Sequence, residues 1–214
     1  MYDALSIGTG LFWLLAYAAI IYRGFADRST GMPIPALAAN IAWEGLFAFI
    51  YPAPEPQRAI NIAWVGLDAI ILFQAFRFGP SQRENIWRGW GYYIGLGASL
   101  ICALFIAIQF TVEFHDYLGV YLAFGQNLMM SILFIAMLQR RASDGAAGVE
   151  GQSLYIAIFK MLGTGLSSIL FHLKLPHSGL LNFTYVAILV FDLIYVALLY
   201  RRFKQLSPKV WARI

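Results

Sequence analysis

Residues 34–51 read Ile-Pro-Ala-Leu-Ala-Ala-Asn-Ile-Ala-Trp-Glu-Gly-Leu-Phe-Ala-Phe-Ile-Tyr. The run is apolar except for Asn40 and for Glu44, which sits near its middle. A spanning helix needs about 20 mostly apolar residues, so the stretch reads as a membrane helix that carries a carboxyl group inside it. A charge in hydrocarbon costs at least ~2.5–3.5 kcal/mol on insertion scales, so such a residue usually faces a protein interior and serves chemistry or transport. Outward from this stretch, Asp68, Lys160 and Asp192 lie inside other apolar runs. Function is to be sought among these four residues.

The chain of 214 residues is 60% hydrophobic and 12% charged, with a mean hydropathy of +0.68. A soluble domain carries roughly twice that charged fraction, so this is the composition of an integral membrane protein. Cys102 stands alone, which excludes an intrachain disulfide and a thiolate metal site. The net charge of +4 calls for no nucleic-acid partner; in a membrane chain it reflects loops on the cytoplasmic side. Only Asp3 precedes the first apolar run, without a basic segment or cleavage site, and no signal peptide is expected.

Seven spans are expected, at roughly 4–22, 34–51, 59–76, 91–112, 117–138, 153–173 and 179–200. Pro33 and Pro35 open the second; Pro52, Pro54 and Pro56 close it. The longest connection, Gln139 to Gln152, is Gly/Ala-rich and polar and reads as a mobile loop. With the N-terminus outside, the cytoplasmic segments hold Arg23, Arg28, Arg77, Arg83, Arg88, Arg140, Arg141, Arg201, Arg202, Lys204, Lys209 and Arg213, against Arg58 and Lys174 outside. The positive-inside rule then favours N-out and C-in. The expected architecture is a single domain over residues 1–214, an all-α seven-transmembrane helix bundle.

Helix rise converts position into depth. At ~1.5 Å per residue, Glu44 lies about 15 Å from the cytoplasmic end of helix two, Asp68 and Asp192 about 12 Å from those of helices three and seven, and Lys160 about 10 Å along helix six. Gln126 and Asn127 on helix five come close to this layer. One polar pocket in the inner half of the bundle, reached from the cytoplasm or the inner leaflet, is the simplest expectation. On helix two, Asn40 and Glu44 are i,i+4 neighbours, so the amide is expected to hydrogen-bond the carboxyl. Asn61, Trp64 and Asp68 share a stripe on helix three, as do Asn182, Tyr185 and Asp192 on helix seven.

Plainer roles stand beside these. Buried acids can pair with Lys160 and merely hold a bundle together, and a relay and a fixed hydrogen bond at Asp68 look alike in sequence. His172 and His177 read as interfacial, with no metal spacing. His115 with Glu113 and Asp116 is compatible with weak cation binding, a solvated turn being the simpler reading. Trp87, Trp90, Tyr92, Tyr93 and Trp211 fit an interfacial belt, whereas Trp13, Trp43 and Trp64 are deep enough to line a pocket.

A carboxyl group out of water is more stable neutral than charged, so it can hold a proton and act as a general acid. Aromatic faces attract cations by about 0.5–2 kcal/mol per contact. An acid, aromatic walls and a dry pocket suit protonation of an alkene or epoxide in a polyprenyl chain. The walls shelter the carbocation while rings close, and water is kept out.

The run Gly31-Met32-Pro33-Ile34-Pro35 followed by Asn40-Ile41-Ala42-Trp43-Glu44 resembles the small integral-membrane terpene cyclases of fungal meroterpenoid and indole-diterpene pathways and their bacterial relatives. Trp64-x-x-x-Asp68, Gly163-Thr164 and Asp192 are similar too, and the resemblance spans nearly the whole chain. It implies a protonation-initiated cyclase in which the helix-two glutamate and a helix-seven acid, here Glu44 and Asp192, are essential, with Asp68 supporting them. Asn40, Trp43, Trp64, Asn127, Lys160 and Tyr185 are the candidate substrate-binding residues. No metal or organic cofactor is implied; the Asp-rich magnesium motif and the Asp-x-Asp-Asp motif of soluble cyclases are both missing from the sequence. The implied partners are a prenylated hydrophobic substrate, the bilayer, and an upstream prenyltransferase or epoxidase. The Ala- and Arg-rich composition and short loops point to a bacterial cytoplasmic membrane. The resemblance gives Lys160 no role; an acid paired with it would no longer be a proton donor.

Two other readings use the same residues. A proton-coupled transporter would employ the acids as a relay, but paired repeats and broken helices are not evident. A retinal protein needs its lysine on helix seven, where this chain has Asp192.

Overall fold

A computed structural model describes residues 2–82, 88–143, 148–206 and 210–213. Arg83, Trp87 and Lys209, used above for orientation and for the interfacial belt, lie outside the described residues. The helices are α1 (Tyr2–Asp27), α2 (Ile34–Gly45), α3 (Gln57–Phe78), α4 (Trp90–Glu113), α5 (Val120–Ser143), α6 (Leu154–Lys174) and α7 (Gly179–Leu206). Among the described residues, all but α2 are long and apolar enough to cross a membrane; Ile34–Ile50 is a shorter apolar helix.

The second span departs from a plain helix. Pro33 and Pro35 sit where the first turn has no partner for an N–H, which suits proline. After Gly45 the helix widens into a π-helical turn, Leu46–Ile50, ended by the Tyr51 N–H on the Leu46 carbonyl (2.8 Å) and then by Pro52. Such turns are rare and often accompany functional sites; this one begins two residues after Glu44.

Several helices overrun their apolar spans. The helix α1 continues to Asp27, α5 to Ser143 and α7 to Leu206, rather than stopping near 22, 138 and 200. Hydropathy falls at the first arginine, but arginine is a good helix former, and its apolar stem can follow the helix while the guanidinium reaches water. Of the expected mobile loop at Gln139–Gln152, residues 144–147 lie outside the described residues, and the described ends are held. Its first residues belong to α5, and its last are docked: the Gly151 N–H donates to Asp27 (2.7 Å), and Gln152 is fully buried and accepts from Tyr195 (3.0 Å).

In the bundle α1 packs between α6 and α3, α2 lies against α3, α4 and α5, and α7 covers α5 and α6. A core that includes Leu37, Ile71, Phe134, Ile156, Tyr195 and Leu199 fills the half nearest the arginine-rich helix ends. That end is tied shut. Asp27 accepts from Arg23 and Arg213, Arg141 donates to the Thr30 carbonyl (3.0 Å) and to the Glu150 carbonyl, and Gln82 binds Ser29 (2.8 Å) and Thr30 (2.9 Å). The expected belt loses Tyr92, which is buried with its hydroxyl on the Ala75 carbonyl (2.9 Å); Trp90 and Trp211 are exposed.

The helices α6 and α1 approach closely at Gly163, where a Cβ would lie 2.8 Å from Cδ1 of Trp13. Gly163→Ala is expected to force Trp13 aside and to destabilise the bundle by about 1–3 kcal/mol, the usual range for an overpacked core. Thermal unfolding in detergent measures this; an unchanged midpoint would mean that the contact yields freely.

Candidate active site

The half of the bundle away from the core is hollow. A cavity of about 650 Å³ lies between α1, α2, α3, α5 and α6. Its mouth carries Asp3, Glu55, Gln57 and Lys174, at the N-terminal end of α1, the 53–57 connection and the C-terminal end of α6. Those ends lie opposite the arginine-rich ones. The expectation of access from the basic face is therefore corrected: that half is packed and tied, and the opening is on the face that bears the N-terminus.

Trp13, Trp43, Trp64, Phe124 and Phe171 line the walls, the three tryptophans being those deep enough in the sequence to do so. Trp43 is fixed by its indole N–H on the Gly119 carbonyl (2.8 Å) and by packing on Phe47 at 5.2 Å between ring centroids. Gly119 has φ +66°, and a Cβ there would lie 2.3 Å from the Phe47 ring, so only glycine fits this turn. Asp116 secures the same turn by accepting from the N–H groups of Val120 and Leu122, both at 2.9 Å. This is a structural task for the acid read above beside His115.

At the deep end stand Tyr17, Asn40 and Glu44, with Gln126 and Asn127 beside them. The direct Asn40–Glu44 hydrogen bond expected from their spacing is not formed, because Tyr17 stands between them. Asn40 Nδ2 donates to the Tyr17 hydroxyl oxygen (3.0 Å), and that hydroxyl donates to Glu44 Oε1 (2.6 Å). Gln126 Nε2 in turn donates to Asn40 Oδ1 (3.4 Å). The Tyr17 hydroxyl is also 3.3 Å from Asp68 Oδ2. Asp68 is fully buried behind it, and Glu44 is 3% exposed. Among the described residues no N–H or hydroxyl donor reaches Glu44 Oε2 or Asp68 Oδ1, and the two carboxyl groups stand within hydrogen-bonding reach of each other when one of them carries a proton.

The other two buried charges form a second cluster. Lys160 Nζ binds both oxygens of Asp192, at 2.7 and 3.0 Å, and donates to Ser131 Oγ (2.8 Å). Ser131 donates to the main-chain oxygen of Asn127 (3.0 Å), and Thr164 donates to the Asn127 side chain (3.3 Å). The expected single layer thus divides into Glu44 with Asp68 and Lys160 with Asp192. Neither member of the second pair lines the cavity. Tyr185 is one ring removed from it, packed behind Phe124 at 4.6 Å. Asn182 turns the other way, binding His172 (2.8 Å) and the Pro176 carbonyl (2.9 Å) in the α6–α7 turn.

Tyr17 was not singled out by the sequence pattern, although a signal existed. It lies in the middle of an apolar span, far from either interface, where a phenol needs a hydrogen-bond partner.

The sequence model of the Pyr4-like transmembrane terpene cyclases matches residues 1–205. The Pyr4-family terpene cyclase mfmH of Annulohypoxylon moriforme is 28% identical over 201 residues, 91% of this chain and 81% of that protein. Terpene cyclase pyr4 of Aspergillus fumigatus is 27% identical over 177 residues, 80% and 70% of the two chains. Terpene cyclase penB of Penicillium crustosum is 35% identical over a shorter stretch of 77 residues, 36% and 32%. No solved structure matches. With its membrane-length helices and its aromatic-walled cavity, the chain is a multi-pass integral membrane protein that belongs to the Pyr4-like transmembrane terpene cyclases.

Proposed function

We propose that this terpene cyclase starts its reaction by proton transfer from Glu44 to the terminal alkene or epoxide of a prenyl chain lying in the cavity. The observation that carries the reading is the placement of Glu44. Among the described residues it is the one carboxyl group that lines the deep, aromatic end of the cavity, while Asp3 and Glu55 lie at the mouth. Two neighbouring carboxylates out of water repel each other, and a proton on one relieves the conflict. Asp68, behind Tyr17, supports Glu44 without meeting substrate. Trp13, Trp43, Trp64, Phe124 and Phe171 offer π-faces to the migrating cation, and Asn40 and Asn127 contribute polar wall. Loss of a proton from the last cation completes an isomerisation; an epoxide opens to an alcohol within the same atom balance.

Asp192 and Lys160 act on the site from outside the cavity. Their ion pair sets α6 and α7 against α5, and through Ser131 it reaches the backbone of Asn127 in the wall. Asp192 thus positions the site, and Tyr185 supports the wall from behind Phe124. The residues form one domain with seven passes, Ile34–Ile50 being the second. With the arginine-rich ends in the cytoplasm the N-terminus is outside, and the cavity opens towards the outer half of the membrane. A greasy prenyl substrate reaches that mouth from the bilayer, after an upstream prenyltransferase or epoxidase has made it. The relatives named above are fungal; a bacterial source for this chain rests on its composition alone.

Glu44→Gln is expected to fold and to lose at least about 100-fold in rate, the lower end for a missing general acid. Chromatography with mass spectrometry on membranes fed farnesyl- and geranylgeranyl-bearing phenols, with and without a terminal epoxide, reads this as loss of a product of unchanged mass. Full turnover by the variant would remove Glu44 from the chemistry. For the ion pair, Lys160→Met leaves Asp192 buried and unpaired and is expected to cost about 3–5 kcal/mol, most of it regained when Asp192→Leu is added. Thermal unfolding of the single and double variants measures it. A stable Lys160→Met protein would deny the pair its positioning role.

A further inference from the structure

Three donors at the deep end of the cavity point the same way. Gln126 on α5 donates to Asn40 on α2, Asn40 donates to Tyr17 on α1, and Tyr17 donates to Glu44 on α2. The chain of hydrogen bonds has a direction, and Glu44 Oε1 is where it ends. We propose that Tyr17 is a positioning residue whose hydroxyl stabilises, by the hydrogen bond it donates, the negative charge left on Glu44 when the proton goes to substrate, and that Asn40 and Gln126 polarise that hydroxyl from behind. The proposal rests on Glu44 being the acid.

The geometry bears on which oxygen gives the proton. A phenol has one hydrogen, and the Asn40 amide already fills an acceptor site on its oxygen. The hydrogen is therefore directed to a carboxyl group, and at 2.6 Å Glu44 Oε1 is favoured over Asp68 Oδ2 at 3.3 Å. The carbonyl oxygen of a neutral carboxyl group is its better acceptor, so Oε1 is the carbonyl oxygen and the transferable proton belongs on Oε2. Among the described residues no N–H or hydroxyl donor holds that oxygen, and the Asp68 carboxyl group is within reach to hold its proton until substrate takes it. As the proton leaves, charge spreads to both oxygens and the Tyr17 O–H···Oε1 bond strengthens. An interaction that grows between ground and transition state raises the rate constant rather than the binding of substrate. Hydrogen bonds in series reinforce one another, which gives Asn40 and Gln126 their part.

The tyrosine is held for this task. Its ring lies 6.1 Å from Trp13 and 6.4 Å from Trp64, centroid to centroid, and its side chain is 1% exposed. Trp13 is in turn pressed by α6 at Gly163. A phenol kept only for packing would need one acceptor; this one sits between two carboxyl groups and takes an amide donor as well.

Tyr17→Phe keeps the ring and removes the donor. With a prenylated phenol that the protein cyclises, kcat is expected to fall about 100-fold, as when one preorganised donor to a developing oxyanion is lost, with KM unchanged. A merely structural role would lower the amount of folded protein and leave kcat per folded molecule intact. Infrared spectroscopy of the purified protein needs no substrate. The carboxylic C=O band assigned by its loss in Glu44→Gln is expected to move to higher frequency in Tyr17→Phe, because the bond to Oε1 is gone. Should Tyr17→Phe not fold, Asn40→Leu leaves the phenol in place and is expected to move the same band less. Wild-type kcat in Tyr17→Phe, or an unmoved band in whichever variant folds, overturns the proposal. If Glu44→Gln is inactive while Tyr17→Phe is not, the role of Tyr17 alone is lost; if Glu44→Gln is fully active, the acid assignment falls first.

Discussion

Every buried polar group in this bundle answers to the poverty of hydrocarbon as a solvent. Lipid offers no hydrogen bonds, so a charge or amide between the helices must find its partner in the protein. Lys160 and Asp192 meet the demand in the direct way, as an ion pair braced by Ser131. Glu44 and Asp68 meet it with one tyrosine hydroxyl between them and with each other, since one oxygen of each finds no N–H or hydroxyl donor among the described residues. An ion pair holds helices in place. Two carboxyl groups that share one hydroxyl can hold one proton between them.

The two halves of the bundle divide the labour along the membrane normal. Towards the arginine-rich ends, aliphatic and aromatic side chains close-pack and the turns are tied by Asp27, Arg141 and Arg213. Towards the N-terminal face the helices stand apart around the cavity, and their turns are shaped by Pro52, Pro54, Pro56 and Gly119. A preorganised site needs both: rigidity beneath Glu44 to keep the hydroxyl of Tyr17 in register, and room above it for a chain that changes shape.

Much of this was legible in the sequence. Apolar runs located the helices, because the solvent of the exterior is the lipid and composition alone meets that demand. Glu44, Asp68, Lys160 and Asp192 announced themselves by being costly where they are. The pairing among them was not legible. Helix position gives depth but not the azimuth of one helix against another, so four charges at similar depth looked like one layer. The structure rotates Lys160 onto Asp192 and leaves Glu44 with Asp68. The mouth was misplaced for a related reason: residue depth says how far a group lies from an end, not which end is filled. Tyr17 escaped because tyrosine is counted among the apolar residues of a span, although its hydroxyl decides how Glu44 is held.

A cavity whose mouth lies on one face of the bundle also governs traffic. A prenyl chain is thin and has many rotatable bonds, so it can thread past Gln57 and Lys174 at the mouth one unit at a time, giving up conformational freedom as it goes. A fused-ring product has no such freedom and must leave as a rigid body by the same way. Ring closure thus turns a flexible guest into one wider than the path it came by. The turn at Gly119 seats Trp43 and borders the cavity as well, so it fixes part of the wall that a rigid product must pass. In such an architecture letting the rings out becomes a step of its own, distinct from making them.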